Sequence, residues 1–483
     1  MVRKNDIVTV EIEDMSSEGQ GIGIVRDEST GDACGFVLFI KDTVIGDVAE
    51  VKVIKTKKSY GYARMVRLIT PSKDRVDARC PVARQCGGCQ LQEMNYAAQL
   101  IFKQNKVKNN LKRIGGLSEE NKDYEMFPII GMDAPYEPFH YRNKAQFPVG
   151  ADKDGNLRIG FYAGRTHDII ECEDCCIGAP VNAGILAIIR KWMLKNNIKP
   201  YDEANHTGLI RHVLIRVGFA TGQICVCLII NSNKLDNYSE LVKNLSQIAG
   251  MTSIMANFNR ERSNVILGNR CETIWGTPYI EDCIGSVRYR ISPLSFYQVN
   301  PVQTKRMYDK VIEFADLTGS ESVWDLYCGI GTISLYIAGK AKQVYGVEIV
   351  PQAIEDAKQN ARLNNIENAE FFVGRAEEVV PRFYEEKRKE AGAGAGVQED
   401  MLSPDVIIVD PPRKGCDAAL LDTMLLMAPS RIVYVSCDSA TLARDLKYLT
   451  DGGDYKVEKV QCYDNFCQGV HVETVVLLSR VKA

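Results

Sequence analysis

After Pro301 the chain alternates between near-continuous apolar runs and segments in which apolar residues recur at helical spacing. The apolar runs are predicted strands at residues 322–326, 343–347, 369–373, 406–409, 431–435 and 474–478. Strands of this kind are buried on both faces, and the helices between them supply the crossovers of a parallel sheet. The pattern therefore predicts a doubly wound, Rossmann-like α/β domain over residues 296–483.

The first 70 residues instead show short stretches of alternating apolar and polar residues. Strands are predicted at 7–12, 35–39, 48–54 and 62–69, with tight turns at Gly19, Gly21, Gly23, Gly31 and Gly46. This combination is typical of a small barrel, so residues 1–70 are predicted to form a five-stranded, OB-like β-barrel. Residues 97–114 then show helical spacing with Lys and Arg opposite the apolar positions, and two glycines end the helix.

The region between these two parts has a mixed pattern. Strands are predicted at 145–149, 213–217 and 223–230, and a helix at 182–195, which indicates a central α+β domain over residues 126–295. A chain of 483 residues is long enough for about three domains. Residues 71–125 form a fourth, connecting segment with a cysteine loop and the basic helix. Residues 389–400 are low in complexity and predict a surface loop.

Charge is distributed unevenly along the chain. Against a net charge of -3, residues 1–50 carry four Lys/Arg and eleven Asp/Glu, whereas residues 51–115 carry fifteen Lys/Arg and three Asp/Glu. An excess of this size favours a polyanionic partner, in practice a nucleic acid. The expected phosphate contacts are Lys52, Lys55, Lys57, Lys58, Arg64 and Arg67.

The longest apolar runs, such as residues 224–230, fall short of the ~18 residues that a membrane span needs, so no membrane partner is expected. The N-terminal residues show no apolar signal segment, which favours a reducing cytoplasm. In that compartment the sixteen cysteines are expected to be thiols, metal ligands or nucleophiles rather than disulfides. Nothing in the pattern indicates the oligomeric state.

Cys80, Cys86 and Cys89 stand in the arrangement C-x5-C-x2-C, with Gly87 and Gly88 between the last two. Thiolates two residues apart can reach one ion or cluster because the glycines let the backbone curl around it. A fourth ligand must come from elsewhere, and the candidates in the segment ECEDCC are Cys172, Cys175 and Cys176. The spacing leaves both zinc and an iron–sulfur cluster open.

A cofactor site is predicted where the first C-terminal strand runs into the turn of residues 325–331, DLYCGIG. Glu348 ends the next strand, where a carboxylate can accept hydrogen bonds from both hydroxyls of a ribose. A dinucleotide is the alternative ligand. The turn lacks a third glycine, and Asp325 would lie close to a pyrophosphate, so S-adenosylmethionine fits better.

Three further residues lie at strand ends that should face the same crevice. Asp410 begins the segment DPPR, Cys437 follows the fifth strand and Glu473 begins the last. Arg413 stands where amino-methyltransferases with a DPPY loop have an aromatic residue, which argues against N-methylation. A cysteine beside S-adenosylmethionine suits methylation of carbon 5 of a pyrimidine. A thiolate adds to carbon 6, the activated carbon 5 takes the methyl group, and a base removes the carbon 5 proton. The target nucleotide must also be flipped out of its stack.

Several motifs together resemble the RNA uracil-5-methyltransferases. They are FYQVN at 296–300, DLYCGIGT at 325–332, DPPRKG at 410–415, VYVSCDSATLARD at 433–445 and HVETVVLL at 471–478. The N-terminal module resembles the TRAM domain of that family, and Cys80, Cys86 and Cys89 match the branch that holds a 4Fe–4S cluster. The resemblance covers nearly the whole chain.

The resemblance implies a role for each matching residue. Cys437 would be the nucleophile and Glu473 the base, while Gln298, Tyr327, Glu348 and Asp410 would contact S-adenosylmethionine. Cys175 would be the fourth cluster ligand, because it follows the segment HDII at the family's spacing. The chain has Asp438–Ser439 after the nucleophile where the family often has Asn-Pro, so the resemblance assigns no role to Asp438.

Two other classes of protein share some of these features. Radical enzymes that thiomethylate tRNA combine a TRAM-like module with three cysteines, but they need C-x3-C-x2-C spacing on a barrel. A non-catalytic RNA-binding iron–sulfur protein would need neither Cys437 nor Glu473. Within the favoured family, the combination of TRAM domain and cluster resembles the large-subunit ribosomal enzymes. The expected substrate is therefore 23S rRNA, with tRNA as the alternative.

Overall fold

Five strands close into a barrel in the computed structural model, which describes residues 2–26, 33–164, 166–390 and 403–481. They are β1 (Ile7–Met15), β2 (Gly21–Arg26), β3 (Ala33–Lys41), β4 (Val48–Thr56) and β5 (Tyr60–Thr70). Their order around the barrel is β1-β2-β3-β5-β4. Alternate side chains, such as Leu38, Ile40, Val51 and Val53, fill the interior. The predicted OB-like barrel is confirmed.

The barrel strand that the sequence did not locate is β2. Gly21 and Gly23 were expected in tight turns, but they lie within this strand. A Cβ atom at Gly21 would stand 2.2 Å from Oγ1 of Thr43 and 2.7 Å from the side chain of Ile12, so the narrow barrel requires glycine there. Gly19 and Gly46 do lie in turns with positive φ. Gly31, and most of the loop expected at 389–400, lie outside the described residues.

The connecting segment contains helix α1 (Tyr96–Arg113), close to its predicted bounds. Asn95 caps its first turn, because its Oδ1 accepts a hydrogen bond from the backbone N–H of Ala98 at 2.9 Å. The expectation that the Lys and Arg residues all lie on an exposed face is wrong for Lys103. Its side chain is fully buried, because α1 packs against the C-terminal domain and Lys103 pairs there with Asp464.

The central region forms a seven-stranded sheet in the order β13-β12-β11-β10-β7-β8-β9. Its strands are β7 (Lys144–Ala151), β8 (Leu157–Tyr162), β9 (Ile169–Glu171), β10 (Ile210–Val217), β11 (Ile224–Ile230), β12 (Met251–Phe258) and β13 (Arg270–Gly276). Helices α2 (Val181–Lys195) and α3 (Ser239–Leu245) pack on one face. Leu214, Cys225 and Cys227 on the other face join the core of the C-terminal domain. The two domains therefore share a continuous apolar core.

The C-terminal domain is built on an eight-stranded sheet in the order β18-β17-β16-β19-β20-β22-β21-β6. Its strands are β6 (Glu125–Ile130), β16 (Ser322–Leu326), β17 (Gln343–Glu348), β18 (Ala369–Val373), β19 (Val406–Val409), β20 (Arg431–Ser436), β21 (Tyr455–Tyr463) and β22 (Glu473–Arg480). A hairpin of β14 (Ile280–Ile284) and β15 (Val287–Ile291) precedes it. Its helices are α4 (Pro301–Ala315), α5 (Thr332–Ile337), α6 (Pro351–Leu363), α7 (Ala376–Glu390), α8 (Ala418–Met427) and α9 (Ser439–Thr450). The predicted doubly wound domain is confirmed.

Two strands of this sheet were not expected from the sequence. β21 lies antiparallel to β22, and β6 lies parallel to β21 at the edge of the sheet. Residues 126–130 were expected to begin the central domain, but they complete the C-terminal sheet instead. These residues pair with the outer edge of β21, which is more than 300 residues away in the chain. Lys459, for example, lies opposite Glu125.

A buried ion pair fixes α1 to the loop between β21 and β22. Lys103 Nζ donates to Oδ1 of Asp464 at 2.5 Å and to the carbonyl oxygen of Phe466 at 3.0 Å. Both charged side chains are completely inaccessible to solvent. Because each charge has lost its hydration, removing one partner leaves the other without compensation.

We therefore expect Lys103→Met to lower the free energy of unfolding by about 3–5 kcal/mol, measured by urea denaturation, because Asp464 would remain buried and unpaired. Lys108→Met on the same helix is the matched control. Its ion pair with Glu119 is exposed, so the free energy of unfolding should hardly change. Equal effects of the two substitutions would contradict this account of Lys103.

Candidate active site and cysteine cluster

The turn between β16 and α5 borders an open crevice at the carboxyl ends of the strands. Tyr327, Gly329 and Gly331 have φ values of 71°, 55° and 80° in this turn. A Cβ atom at Gly329 would meet no atom within 4 Å, so the backbone there faces open space. Tyr327 is held in place because its N–H donates to the carbonyl oxygen of Val347 at 3.0 Å. A ligand can therefore approach the backbone of the turn closely.

Two carboxylates flank the turn in different surroundings. Glu348 ends β17, is half-buried and accepts a hydrogen bond from the N–H of Val350 on Oε1 at 3.0 Å. Asp325 is fully buried, and its Oδ2 accepts from the N–H of Ser334 at 3.0 Å and from the Ser334 hydroxyl. Burial raises the pKa of Asp325 to about 6. Asp325 therefore supports the turn, while Glu348 remains partly accessible beside it.

Three side chains are linked by hydrogen bonds beside the crevice: Asp410, which is half-buried, and Gln298 and Asn465, which are buried. Nε2 of Gln298 donates to Oδ2 of Asp410 at 3.4 Å, and Nδ2 of Asn465 donates to Oε1 of Gln298 at 3.3 Å. The amide of Asn465 also lies beside the carboxylate of Glu473 and lowers its pKa. Sequence reasoning missed Asn465, because it lies in no recognised motif and only the fold brings it between Gln298 and Glu473.

The carboxyl groups of Asp410 and Glu473 influence each other. Burial raises the pKa of Glu473, and the charge of Asp410 raises it further. Burial also raises the pKa of Asp410, and the nearby Asp325 adds to the effect. Mutual repulsion in a poorly solvated site disfavours the state in which both groups are ionised. One of them therefore tends to retain a proton near neutral pH.

Cys437 lies at the carboxyl end of β20, next to both carboxyl groups. Burial raises the pKa of its thiol to about 12, and the charges of Glu473 and Asp410 contribute in the same direction. The exposed Arg413 acts in the opposite direction, since its positive charge lowers the pKa of this thiol. The thiol is therefore protonated at rest and adjoins groups that can accept a proton.

The residue after Cys437 is a helix cap. Oδ1 of Asp438 accepts hydrogen bonds from the N–H groups of Ala440 and Thr441 at 3.0 and 3.1 Å, at the start of α9. Where the family often has Asn-Pro, this chain thus has an aspartate that serves as the N-cap of α9. Because α9 begins directly after β20, the cap also fixes the backbone that carries Cys437.

The loop of residues 464–472, which precedes Glu473, is held by the connecting segment. The carbonyl oxygen of Gln468 accepts hydrogen bonds from the N–H groups of Gln90 and Leu91, both at 3.0 Å. Nε2 of Gln99 on α1 donates to Oε1 of Gln468 at 3.0 Å, and the hydroxyl of Tyr141 donates to the carbonyl oxygen of Cys467 at 3.0 Å. Together with the Lys103–Asp464 pair, these bonds fix where β22 and Glu473 begin.

Six cysteines line one cavity of about 360 Å³ between the connecting segment and the central domain: Cys80, Cys86, Cys89, Cys172, Cys175 and Cys176. The loop of residues 80–89 reaches this cavity because Gly87 donates its N–H to the carbonyl oxygen of Tyr162 on β8 at 3.0 Å. The fold thus brings together the three cysteines of the motif and all three candidates for a fourth ligand.

The sulfur of Cys175 differs from those of Cys172 and Cys176. The Cys172 thiol and the backbone N–H groups of Ile177 and Gly178 lie close to it and lower its pKa. Burial raises the pKa of Cys176 to about 11. Of the three candidates, Cys175 is therefore the one whose thiolate form is most favoured. Within the described ranges, no three His, Cys, Asp or Glu side chains are arranged to hold a single metal ion.

Comparisons with known proteins agree with this geometry. A family model described as tRNA (Uracil-5-)-methyltransferase matches residues 95–481, and a TRAM domain model matches residues 2–66. The chain belongs to the tRNA (uracil-5-)-methyltransferase family. A protein of Halalkalibacterium halodurans named as an uncharacterized RNA methyltransferase is 48% identical, covering 99% of this chain and 98% of its own. One of Bacillus cereus with the same designation is 46% identical, covering 100% and 98%.

The fold of this family member also matches a solved structure over its whole length. The structure is Pyrococcus abyssi tRNA (uracil-54, C5)-methyltransferase in complex with S-adenosyl-L-homocysteine, with a TM-score of 0.73 and 27% identity. The match covers 98% of this chain and 99% of that one. The expectations of an RNA methyltransferase dependent on S-adenosylmethionine, with a TRAM barrel, are confirmed. In the described part of the chain, no helix is long and apolar enough to span a membrane.

Proposed function

We propose that this enzyme methylates carbon 5 of a specific uridine in 23S rRNA, through a covalent adduct of Cys437 and proton removal by Glu473. The observation that carries the mechanism is the convergence of the half-buried thiol of Cys437, the half-buried carboxyl group of Asp410 and the buried carboxyl group of Glu473 at one end of the sheet. A cytoplasmic location belongs to the same proposal, as do the folding units 1–70, 71–125, 126–295 and 296–483, except that residues 126–130 pair into the sheet of the last unit.

The residues around the crevice fit S-adenosylmethionine. Glu348 suits the ribose hydroxyls, and the backbone from Tyr327 to Gly331 allows the close approach that a bound nucleoside needs. Gln298 and Asp410 are the polar groups on the other side. When bound, the cofactor supplies an electrophilic methyl group. We assign its binding to Gln298, Tyr327, Glu348 and Asp410.

Cys437 supplies the covalent step. Its sulfur forms a bond to carbon 6 of uracil while the thiol proton leaves to solvent, since Cys437 is only partly buried, and the ring becomes an enolate whose carbon 5 is nucleophilic. Asp410 keeps the proton that the two carboxyl groups retain, so Glu473 stays ionised for the later step. After methyl transfer, Glu473 takes the proton from carbon 5 and the carbon–sulfur bond breaks. Burial and the neighbouring Asp410 make Glu473 a stronger base than an exposed glutamate, because they raise its pKa.

Arg413 and Asn465 assist these two groups. Arg413 favours the thiolate of Cys437 through its positive charge. Asn465 lies beside Glu473, lowers its pKa and is hydrogen-bonded to Gln298, which in turn donates to Asp410. Neither residue exchanges a proton with the substrate in this scheme, and both act by positioning or electrostatics.

Replacing the nucleophile and the base should produce different products. Cys437→Ala should abolish 5-methyluridine formation and leave S-adenosylmethionine affinity nearly unchanged, since only the covalent step is lost. Glu473→Gln should allow addition and methyl transfer but not release. A covalent protein–RNA adduct should therefore accumulate on denaturing gels. Methylation by the Cys437 variant at a rate near wild type, or no adduct with the Glu473 variant, would contradict the assigned roles.

Features of the chain bear on both RNA substrates. The TRAM barrel together with four cysteines around one cavity supports 23S rRNA, through the branch that the sequence resembles. The tRNA alternative is supported by the Pyrococcus abyssi enzyme, whose name gives uracil-54 of tRNA as its target.

Nucleoside mass spectrometry of size-separated RNA from cells lacking the gene separates the two substrates. We expect 5-methyluridine to fall in 23S rRNA and to remain unchanged in tRNA, and the plasmid-borne gene should restore it, whereas a Cys437→Ala copy should not. Loss of 5-methyluridine from tRNA alone would contradict 23S rRNA as the substrate and support tRNA instead.

We also propose that Cys80, Cys86, Cys89 and Cys175 hold a 4Fe–4S cluster. One tetrahedral ion would need its sulfurs within about 4 Å of one another, given zinc–sulfur bonds of about 2.3 Å. A cluster holds its ligands farther apart, which suits thiols placed around a cavity of about 360 Å³. The backbone N–H groups of Ile177 and Gly178 lower the pKa of Cys175, and N–H groups near a sulfur favour a ligating thiolate.

Protein purified without oxygen should therefore be brown and contain about four iron atoms per chain. Cys175→Ala should lose the iron and lower the thermal stability. The matched controls Cys172→Ala and Cys176→Ala should retain the iron, because these sulfurs are not assigned as ligands. Stoichiometric zinc without visible absorbance would refute the cluster, and iron retained in the Cys175 variant would refute the choice of that ligand.

A further inference from the structure

The outer face of the barrel combines aromatic and basic side chains in adjacent rows. On β3 and β5, Leu38, Ile40, Gly61 and Ala63 point inward, so the alternate residues point outward. The first outward row, across β4, β5 and β3, contains Lys55, Tyr62 and Phe39. The second contains Lys52, Arg64 and Lys41 in the same strand order.

Three rings form one cluster on this face. The ring centroids of Phe39 and Tyr60 are 5.8 Å apart, those of Phe39 and Tyr62 are 5.7 Å apart, and those of Tyr60 and Tyr62 are 6.0 Å apart. All three side chains are half-buried, so part of each ring reaches the surface. An outward aromatic cluster adds nothing to the barrel core, which the inward residues already fill. It offers instead a surface on which planar groups can stack.

The basic row is unfavourable for the barrel by itself. Arg64 lies directly opposite Lys52 on one side and Lys41 on the other, and like charges opposite each other destabilise a sheet. The positive charge of the nearby Arg67, by contrast, is compensated by a negative one. Arg67 lies opposite Glu50, and their charged groups are 3.7 Å apart. Lys41 lies 3.9 Å from Asp42, whereas no ion pair involves Lys52 or Arg64 within the described part of the chain. These two neighbouring positive charges therefore indicate an anion that binds from outside.

A groove of about 770 Å³ connects this face to the catalytic loop. The barrel contributes Lys55, Tyr62 and Arg64 to one wall, and the cysteine loop contributes Arg84 to the other. The acidic side chains at the groove are Glu18, Asp42 and Glu93, of which Glu93 is paired with Arg84 and Arg75. The groove ends at Val470 and His471, two residues before Glu473.

We propose that the rings of Phe39, Tyr60 and Tyr62 form a stacking platform for unpaired bases, and that the adjoining groove holds the single-stranded RNA that flanks the target uridine. Aromatic rings stack on bases only where the RNA is unpaired, and the basic row binds the backbone of the same strand. This inference deepens the proposed function, because it specifies the RNA structure next to the flipped nucleotide.

The test is a binding titration of the full-length protein against two fluorescent probes, an oligouridine of about twelve nucleotides and an RNA duplex of similar charge. Both titrations are repeated over a series of salt concentrations. Tyr60→Ala and Tyr62→Ala should each weaken single-strand binding about tenfold without changing its salt dependence, since stacking involves no ion release. Lys52→Ala should instead lower the slope of log affinity against log salt by about 0.7.

Two controls keep the test decisive. Tyr62→Phe retains the ring and should bind like wild type, and Tyr448→Ala removes an exposed tyrosine on α9 and should have no effect. If Tyr62→Ala unfolds, Tyr62→Leu keeps apolar volume without a ring and should show the same loss of affinity. Unchanged single-strand affinity in the tyrosine variants, or equal weakening for duplex, would overturn the proposal. These measurements require no methyl transfer, so a failure of the proposed reaction would be seen separately in the nucleoside analysis.

Discussion

The buried pair of Lys103 and Asp464 is the interaction on which the catalytic geometry depends. Glu473 begins β22 directly after the loop of residues 464–472, in which Cys467, Val470 and Val472 are buried in apolar clusters and Asp464 carries a buried charge. Lys103 on helix α1 pairs with Asp464 in this loop, and Gln99 and Tyr141 donate further hydrogen bonds to it. A buried ion pair contributes little net stability compared with apolar packing, but it is intolerant of displacement. It therefore defines the position of the loop more than it stabilises the fold.

With that loop in place, the active site brings together ionisable side chains that are shielded from water, and this shielding disfavours their charged forms. The thiol of Cys437 and the carboxyl groups of Asp410 and Glu473 all have raised pKa values for the same reason, since each has lost water and lies near a negative neighbour. Such a site favours proton transfer between its members over ionisation of all of them. Gln298 donates a hydrogen bond to Asp410 and accepts one from Asn465, which lies beside Glu473. The exposed Arg413 supplies the positive charge that the buried groups lack.

The sequence predicted those parts of the protein whose residues lie close together in the chain. The apolar strands of the C-terminal sheet, helix α1 and the turn around Gly329 follow from local spacing, and the motifs with Cys437 and Glu473 indicate the chemistry. β6 could not be predicted in the same way, because the strand it pairs with, β21, is more than 300 residues away in the chain. Lys103 and Asn465 were missed for a related reason: a lysine on a basic helix and an isolated asparagine carry no local signal of burial. β2 was not predicted because Gly21 and Gly23 are residues typical of turns, whereas in this strand they allow close packing.

The connecting segment explains how the separate regions act on one nucleotide. Gly87 donates to β8 of the central domain, and Gln90 and Leu91 donate to the loop before Glu473. The nearby Lys41 of the barrel donates to the carbonyl oxygen of Arg84 at 2.6 Å. A segment of fewer than ten residues therefore contacts the barrel, the central domain and the catalytic loop. Since a short loop has little core of its own, its shape must come from those contacts and from whatever the surrounding thiols bind. A cofactor held there would stabilise the junction of all three regions, even though it lies apart from the thiol that performs the chemistry.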